Sequence, residues 1–319
     1  MKIVCIDGEA QYKDIVLRDV AAPLEAAGHQ FDWFEESFAD VEATIARASG
    51  YDALYVVGDQ GPVPPGLLRA NPTVTLVSFV GTGARRFVAM DEAAECGVTV
   101  TNVPDFASQS VAEHALALVF AAARRIAEGD NLVRAGHWEK KQGLKLAGRR
   151  LGVVGAGAIG SRMISLGKGI GMDVVYWSRT ADAARDEQLG ARRVELDELF
   201  ANSDVVSLHL THTEETDGII SRPLLESLRP NAILVNTARA EIVDQAALAD
   251  VLARGAIFGA GIDVFLEEPP HPDSLPPAGA NVVLSAHVGF HTDEADDVFR
   301  LAGENILAFA AGTPTNVIE

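Results

Sequence analysis

Residues Gly152–Arg179 read GVVGAGAIGSRMISLGKGIGMDVVYWSR. Just before and within the quoted stretch, Leu151–Val154 is a short β-branched run, the pattern of a buried parallel strand. It ends in Gly155-Ala156-Gly157-Ala158-Ile159-Gly160. Gly155 permits a tight turn out of the strand, Gly157 leaves room for a pyrophosphate, and Gly160 lets the following helix pack on the sheet. The helix N-terminus, at Ala158 and Ile159, offers unpaired N–H groups and a positive dipole end to phosphates. A plain glycine turn is the rival reading. Strand before, helix after and a second strand ending near Ser178 favour a dinucleotide site.

An acidic residue about 20 positions further on usually holds NAD ribose hydroxyls. Here the second strand ends instead in Trp177-Ser178-Arg179-Thr180. A carboxylate would repel a 2′-phosphate, whereas Ser178, Arg179 and Thr180 suit one. NADP(H) is therefore expected as the preferred cofactor, with NAD(H) possible. The plainer alternative leaves Arg179 as a solvated loop residue.

The 319-residue chain is long enough for two domains, and 48% hydrophobic residues suffice for two cores. No run reaches membrane-spanning length. The chain enters a strand directly at Lys2-Ile3-Val4-Cys5-Ile6, with no basic flank or cleavage site, which points to the cytoplasm. Cys5 and Cys96, far apart in small apolar contexts, suit a reducing compartment and packing roles. A net charge of −19 disfavours nucleic acid and anionic membranes as partners. It also means that an anionic substrate needs local arginines.

Apolar runs at 3–6, 31–34, 53–57, 74–79 and 98–100 alternate with helical patterns, which predicts a small doubly wound parallel sheet. From 110 to about 133 runs the longest helical signal. Alanine spreads around much of its girth, so it is expected to be buried on another domain or subunit. Further runs at 151–154, 174–177, 191–194, 205–208, 233–235, 257–262 and 282–284 predict a full Rossmann sheet, and a last helix spans about 292–311. The fold class is α/β, with two doubly wound parallel-sheet domains.

Functional residues belong beyond the carboxyl ends of such strands. Arg239 follows 233–236, Glu268 follows the stretch ending Asp263-Val264, and His287 follows 282–286. Beside a nicotinamide, these three suit carbonyl reduction. The arginine holds a carboxylate and polarises a carbonyl. The histidine transfers a proton, and the glutamate orients it. Each has a dull reading alone, as surface arginine, loop acid or satisfied histidine.

From about Val74 to the C-terminus the chain resembles the D-isomer-specific 2-hydroxyacid dehydrogenases. The likeness is carried by Ser110-Val111-Ala112-Glu113-His114, Val206-Ser207-Leu208-His209-Leu210 with Glu215-Thr216, and Asn236-Thr237-Ala238-Arg239. Asp263-Val264-Phe265-Leu266-Glu267-Glu268-Pro269 and His287-Val288-Gly289 complete it. The resemblance implies Arg239, Glu268 and His287 as catalytic residues and Asp263 as holder of the nicotinamide carboxamide. Thr237, Ala238, Arg239, His287 and Gly289 join the implied cofactor contacts. It also implies that 1–101 plus 288–319 form a flavodoxin-like substrate-binding domain into which a Rossmann domain, 102–287, is inserted. The long helix and its connector would make a homodimer interface. Ala240 departs from the family's usual glycine, and Ser285-Ala286 from its Thr-Pro, leaving the three catalytic positions intact.

The anion-binding loop falls at Val80-Gly81-Thr82-Gly83, followed by Ala84-Arg85-Arg86 in place of the family's acidic residues. Backbone N–H groups of 80–83, with Arg239 and His287, would hold a substrate carboxylate. Arg85 and Arg86 either take a second anionic group or pair with acids such as Glu92. His209 and His212 lack the further ligands of a metal site, while His287 and His291, at helical spacing, have Gly289 between them and a carboxylate partner explains His287 better, so no metal is expected. His114 reads as a packing histidine. The expected activity is NAD(P)-dependent reduction of a small 2-keto acid, glyoxylate/hydroxypyruvate reductase-like. The rivals are oxidation of a non-hydroxyacid donor such as formate or phosphite on the same scaffold, and a non-catalytic nucleotide-sensing module.

Overall fold

The computed structural model describes residues 1–35, 38, 40–58, 61–276 and 279–318. The chain divides into two compact units, Met1–Phe106 with Asp293–Glu319, and Ala107–Thr292. The first seam lies beyond residue 101 because 102–103 are still tied into the first unit. Asn102 N–H donates to Asn316 O and Val103 N–H to Gly81 O, while Asn305 Nδ2 donates to Asn102 O. The second seam lies beyond 287 because Val288 and Gly289 are bonded to Asp263 in the second unit.

In the first unit, five strands form one parallel sheet: β1 (Lys2–Cys5), β2 (Gln30–Trp33), β3 (Ala53–Val56), β4 (Leu76–Phe79) and β5 (Thr99–Thr101). Their order is β2-β1-β3-β4-β5, the flavodoxin-like doubly wound order. All four residues of β3 and of β4 are buried, as continuous apolar runs require when helices cover both faces. Asp7, fully buried just past β1, accepts the N–H groups of Val57 at 3.0 Å and Gly58 at 2.7 Å, closing the turn beyond β3.

The second unit is a seven-stranded parallel sheet. Its strands are β6 (Arg150–Val154), β7 (Asp173–Trp177), β8 (Arg192–Arg193), β9 (Val205–Leu208), β10 (Ile233–Asn236), β11 (Gly259–Ile262) and β12 (Val282–Leu284). The order β12-β11-β10-β9-β6-β7-β8 places the glycine-motif strand at the switch point, with β7 on one side and β9 on the other. Two apolar clusters, one on each face, hold the sheet to its helices.

The alanine-rich helix corrects an expectation. It does not run unbroken to 133, and its alanine face is buried by the chain's own sheet. It spans Ser108–Ala123, breaks at Arg125 (φ 51°), and resumes as Ile126–Arg134. Ala112, Ala115, Leu118, Val119, Ala122 and Ala123 pack with Leu151, Val153, Ile233 and Val235 of the helix's own sheet. Small side chains let the helix approach closely, and a Cβ added at Gly261 would stand 2.7 Å from Leu118 Cβ. The short second helix buries nothing and leaves Ile126 and Val133 exposed, with Trp138 in the connector 84% exposed. Among the described residues no helix is long and apolar enough to cross a membrane.

Gly261→Ala should therefore destabilise the chain by about 1–3 kcal/mol, the usual cost of overpacking. Urea unfolding should show a loss independent of protein concentration. A loss that appears only as easier subunit dissociation would contradict the intra-unit packing.

Candidate active site

The glycine turn has the shape its sequence demands. Gly155 adopts φ 98°, and a Cβ there would meet His209 O at 2.6 Å. A Cβ on Gly160 would lie 1.8 Å from Gly155 O, so only glycine lets the Ala158–Gly169 helix start this close to β6. Gly157 faces open space. The helix thus presents its N-terminus beyond the carboxyl end of β6.

Two buried polar atoms next to this turn lack a hydrogen-bond partner: His209 Nδ1 and Thr237 Oγ1. The register Val154↔Leu208↔Asn236 sets Gly155, His209 and Thr237 in one row just past three adjacent strands. Burial pushes His209 down to about 4, so the ring is neutral. Its Nε2 lies 2.8 Å from Ser207 Oγ. Orphaned polar groups beside a glycine cradle fit a polar nucleotide. The sequence offers His209 only as half of a metal pair with His212, and neither it nor Ser207 carries a local signal for a nucleotide contact.

Beyond β7, Ser178 is buried and its hydroxyl donates to Thr180 O at 2.9 Å, while Arg193 Nε donates to Ser178 O at 2.9 Å. The turn is thereby fixed, and Thr180 is exposed. Arg179 is 80% exposed and pairs with Glu215 of the loop after β9.

Three strand ends carry the chemical groups. Beyond β10, the Asn236 side chain folds the turn. Its Oδ1 accepts Ala238 N–H at 2.9 Å and its Nδ2 donates to Arg239 O at 2.8 Å. Arg239 is half-buried and donates from one guanidinium nitrogen to Ala238 O. Beyond β11, Glu268 is gripped from two sides: Oε1 accepts Phe265 N–H at 3.1 Å, and Oε2 accepts from His287 Nδ1 at 2.8 Å. With Nδ1–H donating to a carboxylate, His287 Nε2 is the nitrogen left for proton transfer. β10, β11 and β12 are neighbours, so Arg239, Glu268 and His287 share one end of the sheet.

His287 itself has φ 52°, in the left-handed region that non-glycine residues rarely occupy. Asp263 holds it there. Its carbonyl accepts His287 N–H at 2.8 Å, Oδ1 accepts Val288 N–H at 3.1 Å, and Oδ2 accepts Gly289 N–H at 3.0 Å. Ser285 Oγ donates to Oδ1 at 2.5 Å. Because that hydroxyl's one proton is spent, it must accept from His114 Nε2, 2.9 Å away. Burial to 1% exposure pushes the Asp263 carboxyl up, but the bonds from His114, Ser285, Val288 and Gly289 hold it down at about 2. His114 and Ser285 thus belong to the site's support, which their separation in sequence concealed.

In the first unit the loop 80–83 follows β4. Val80 needs a correction: its N–H donates to Val56 O at 2.8 Å and its side chain is buried, so it cannot donate to a ligand. Among the described residues no acceptor occupies the N–H groups of Gly81, Thr82 and Gly83. Thr82 Oγ1 donates to Val103 O at 3.3 Å, and Asn102 Nδ2 to Thr82 O at 2.8 Å. Arg85 and Arg86 lie exposed on the short turn Ala84–Arg86. Glu92 is not their hydrogen-bonded partner; its carboxylate accepts the N–H groups of Gly66, Leu68 and Arg69. His212 pairs with Asp217, and among the described residues no three His, Cys, Asp or Glu side chains gather to hold a metal.

A dinucleotide cradle at the switch point, with an acid–base pair on the same sheet end, defines an NAD(P)-dependent oxidoreductase. Residues 116–289 match the model of the D-isomer specific 2-hydroxyacid dehydrogenase NAD binding domain. A glyoxylate reductase of Thermococcus litoralis is 39% identical over 263 residues, 79% of each chain. Another from Aeropyrum pernix is 36% identical over 92% of each. Among solved structures, an acyclic imino acid reductase in complex with NADPH and D-Arg superposes with a TM-score of 0.85, at 26% identity and full coverage of both chains. The NADPH-dependent glyoxylate/hydroxypyruvate reductase of Sinorhizobium meliloti, in complex with citrate, gives 0.84 at 26% identity, covering 99% of this chain and 97% of that one. The chain belongs to the D-isomer specific 2-hydroxyacid dehydrogenase family, enzymes that act on the CH–OH group of 2-hydroxyacids.

Asp263 generates a test. Its native pKa of about 2 lies below the unfolded value of about 3.9, so it stabilises the fold above pH 4 and that contribution fades as pH falls toward 2. The amount is about 2–3 kcal/mol. Asp263→Asn should be less stable than the parent by about this much at pH 7, with the gap closing toward pH 2. A gap unchanged across that range, measured by urea unfolding, would refute the assignment.

Proposed function

We propose that the chain is a reductase of small 2-keto acids of the glyoxylate and hydroxypyruvate type, with NADPH preferred to NADH. The observation that carries this reading is the His287 Nδ1 to Glu268 bond of 2.8 Å, which leaves Nε2 for the substrate. Support comes from the glyoxylate reductases among its relatives, from the NADPH complex of one structural neighbour, and from the name of another, an NADPH-dependent glyoxylate/hydroxypyruvate reductase.

When bound, the reduced nicotinamide supplies the hydride that reduces the keto carbon. Gly155, Gly157, Gly160 and the N–H groups of Ala158 and Ile159 would hold the pyrophosphate. Thr237, Ala238 and Gly289 would line the nicotinamide end, with His209 Nδ1 and Thr237 Oγ1 finding partners there. Ser178, Arg179 and Thr180 would take the 2′-phosphate. Arg239 binds the substrate carboxylate and polarises the keto oxygen. His287 delivers its proton from Nε2 to that oxygen. Glu268 keeps the ring's other nitrogen engaged, so the tautomer and orientation are set. Asp263, the residue assigned to the nicotinamide carboxamide, also acts as a positioning residue beneath His287. In the first unit, the N–H groups of Gly81, Thr82 and Gly83 are the anion donors that remain once Val80 is removed from the set. Arg85 and Arg86 would favour a second anionic group.

A second copy of the chain is the partner that this reading assigns to the exposed Ile126, Val133 and Trp138. A single-chain mass in sedimentation would reject that assignment. A binding-only role leaves Arg239, Glu268 and His287 without a task.

The deciding experiment is turnover of glyoxylate, hydroxypyruvate, pyruvate and a dianionic keto acid with NADPH and with NADH. His287→Asn should lower kcat by about 100-fold or more, the usual scale for losing a positioned acid, with cofactor affinity unchanged. Arg85→Ala and Arg86→Ala should raise KM for the dianion more than for glyoxylate. No turnover of any keto acid, or full activity in His287→Asn, would overturn the reading.

A further inference from the structure

The carboxylate missing after β7 is present in space, supplied from another loop. β7 and β9 both pair with β6, so an ion pair joining the loops beyond them spans the carboxyl end of β6. Arg179 and Glu215 make that pair, across the mouth of the glycine turn.

Both ends of the span rest on folded turns. The Ser178–Thr180 turn is closed by Ser178 Oγ on Thr180 O and buttressed by Arg193 on Ser178 O. The Glu215 loop is wound around Thr216, whose Oγ1 accepts Thr213 N–H at 2.8 Å and donates to Thr211 O at 2.7 Å. Asp217 N–H donates to Thr213 O at 2.9 Å. The backbones are held, and the two side chains are the parts free to rearrange. They are 80% and 70% exposed, and an ion pair so solvated exchanges partners readily. A phosphate monoester carries more charge than a carboxylate and has three acceptor oxygens for the same guanidinium.

We propose that Glu215 is a specificity-determining residue, whose carboxylate competes with an adenosine 2′-phosphate for the Arg179 guanidinium. With a 2′-hydroxyl the pair stays closed; with a 2′-phosphate Arg179 turns from Glu215 to the ligand. Breaking the pair is then a cost that only the phosphorylated cofactor bears, so Glu215 tempers the preference that Arg179 creates. The inference rests on the proposed placement of the 2′-phosphate at Ser178–Thr180.

The test is calorimetric binding of adenosine 2′,5′-bisphosphate and of 5′-AMP, which differ only in the 2′-phosphate. Glu215→Gln should bind the bisphosphate about fivefold more tightly, the scale of an exposed ion pair, with 5′-AMP changed less than twofold. Arg179→Ala should weaken the bisphosphate about tenfold, and adding Glu215→Gln to it should restore less than twofold. The inference is overturned if Glu215→Gln improves both ligands alike or neither, or if its gain survives in the Arg179→Ala background. If Arg179→Ala alone selectively weakens the bisphosphate, the cofactor placement stands without it. If Arg179→Ala leaves both ligands unchanged, the placement falls as well. Thermal unfolding of each variant should match the parent, because both side chains are exposed.

Discussion

The carboxylate of Asp263, buried to 1% exposure, holds the turn on which His287 sits. A histidine with φ 52° is strained by about 1 kcal/mol or more relative to ordinary backbone. Two backbone N–H groups and a hydroxyl supply the compensating bonds, the hydroxyl itself held by an imidazole. The strain has a use in the proposed mechanism. It turns His287 so that Nδ1 meets Glu268 and Nε2 is left for the reacting oxygen. Loss of the charge on Asp263 would release both the loop and the pair. The neighbouring helix is part of this arrangement, because His114 projects from Ser108–Ala123 and reaches the same carboxylate through Ser285.

The same economy recurs at the other strand ends. Each functional side chain leaves a turn that another polar group has already closed. Asn236 closes the turn before Arg239, Phe265 N–H fixes Glu268, and Ser178 with Arg193 fixes the base of Arg179. In a chain of net charge −19, cations placed in this way keep their direction although the overall field opposes an anionic substrate.

What could be read from the sequence is what is local and periodic. Gly155, Gly157 and Gly160 are legible because they recur within six residues, and the structure shows steric demands at two of them, with a Cβ 2.6 Å from His209 O at Gly155 and 1.8 Å from Gly155 O at Gly160. The strand runs, and the positions of Arg239, Glu268 and His287 just past them, are legible for the same reason. Contacts between distant segments are not. The His114–Ser285–Asp263 link joins three stretches, and Glu215 lies 36 residues from Arg179. Val80 looked like part of an anion loop, yet sheet pairing claimed its N–H. The break at Arg125 escapes helical periodicity because apolar residues continue on both sides, while the alanines that suggested a subunit interface fit equally well against the chain's own sheet.

Hydrogen exchange at Val288 and Gly289 tests the Asp263 support directly. Both amides should be protected at neutral pH in the parent protein. In Asp263→Asn they should exchange at least about tenfold faster, as the loss of a charge-assisted bond implies, and kcat should fall with them. Fast exchange in the parent, or protection and full turnover in Asp263→Asn, would contradict the claim that this carboxylate sets the histidine.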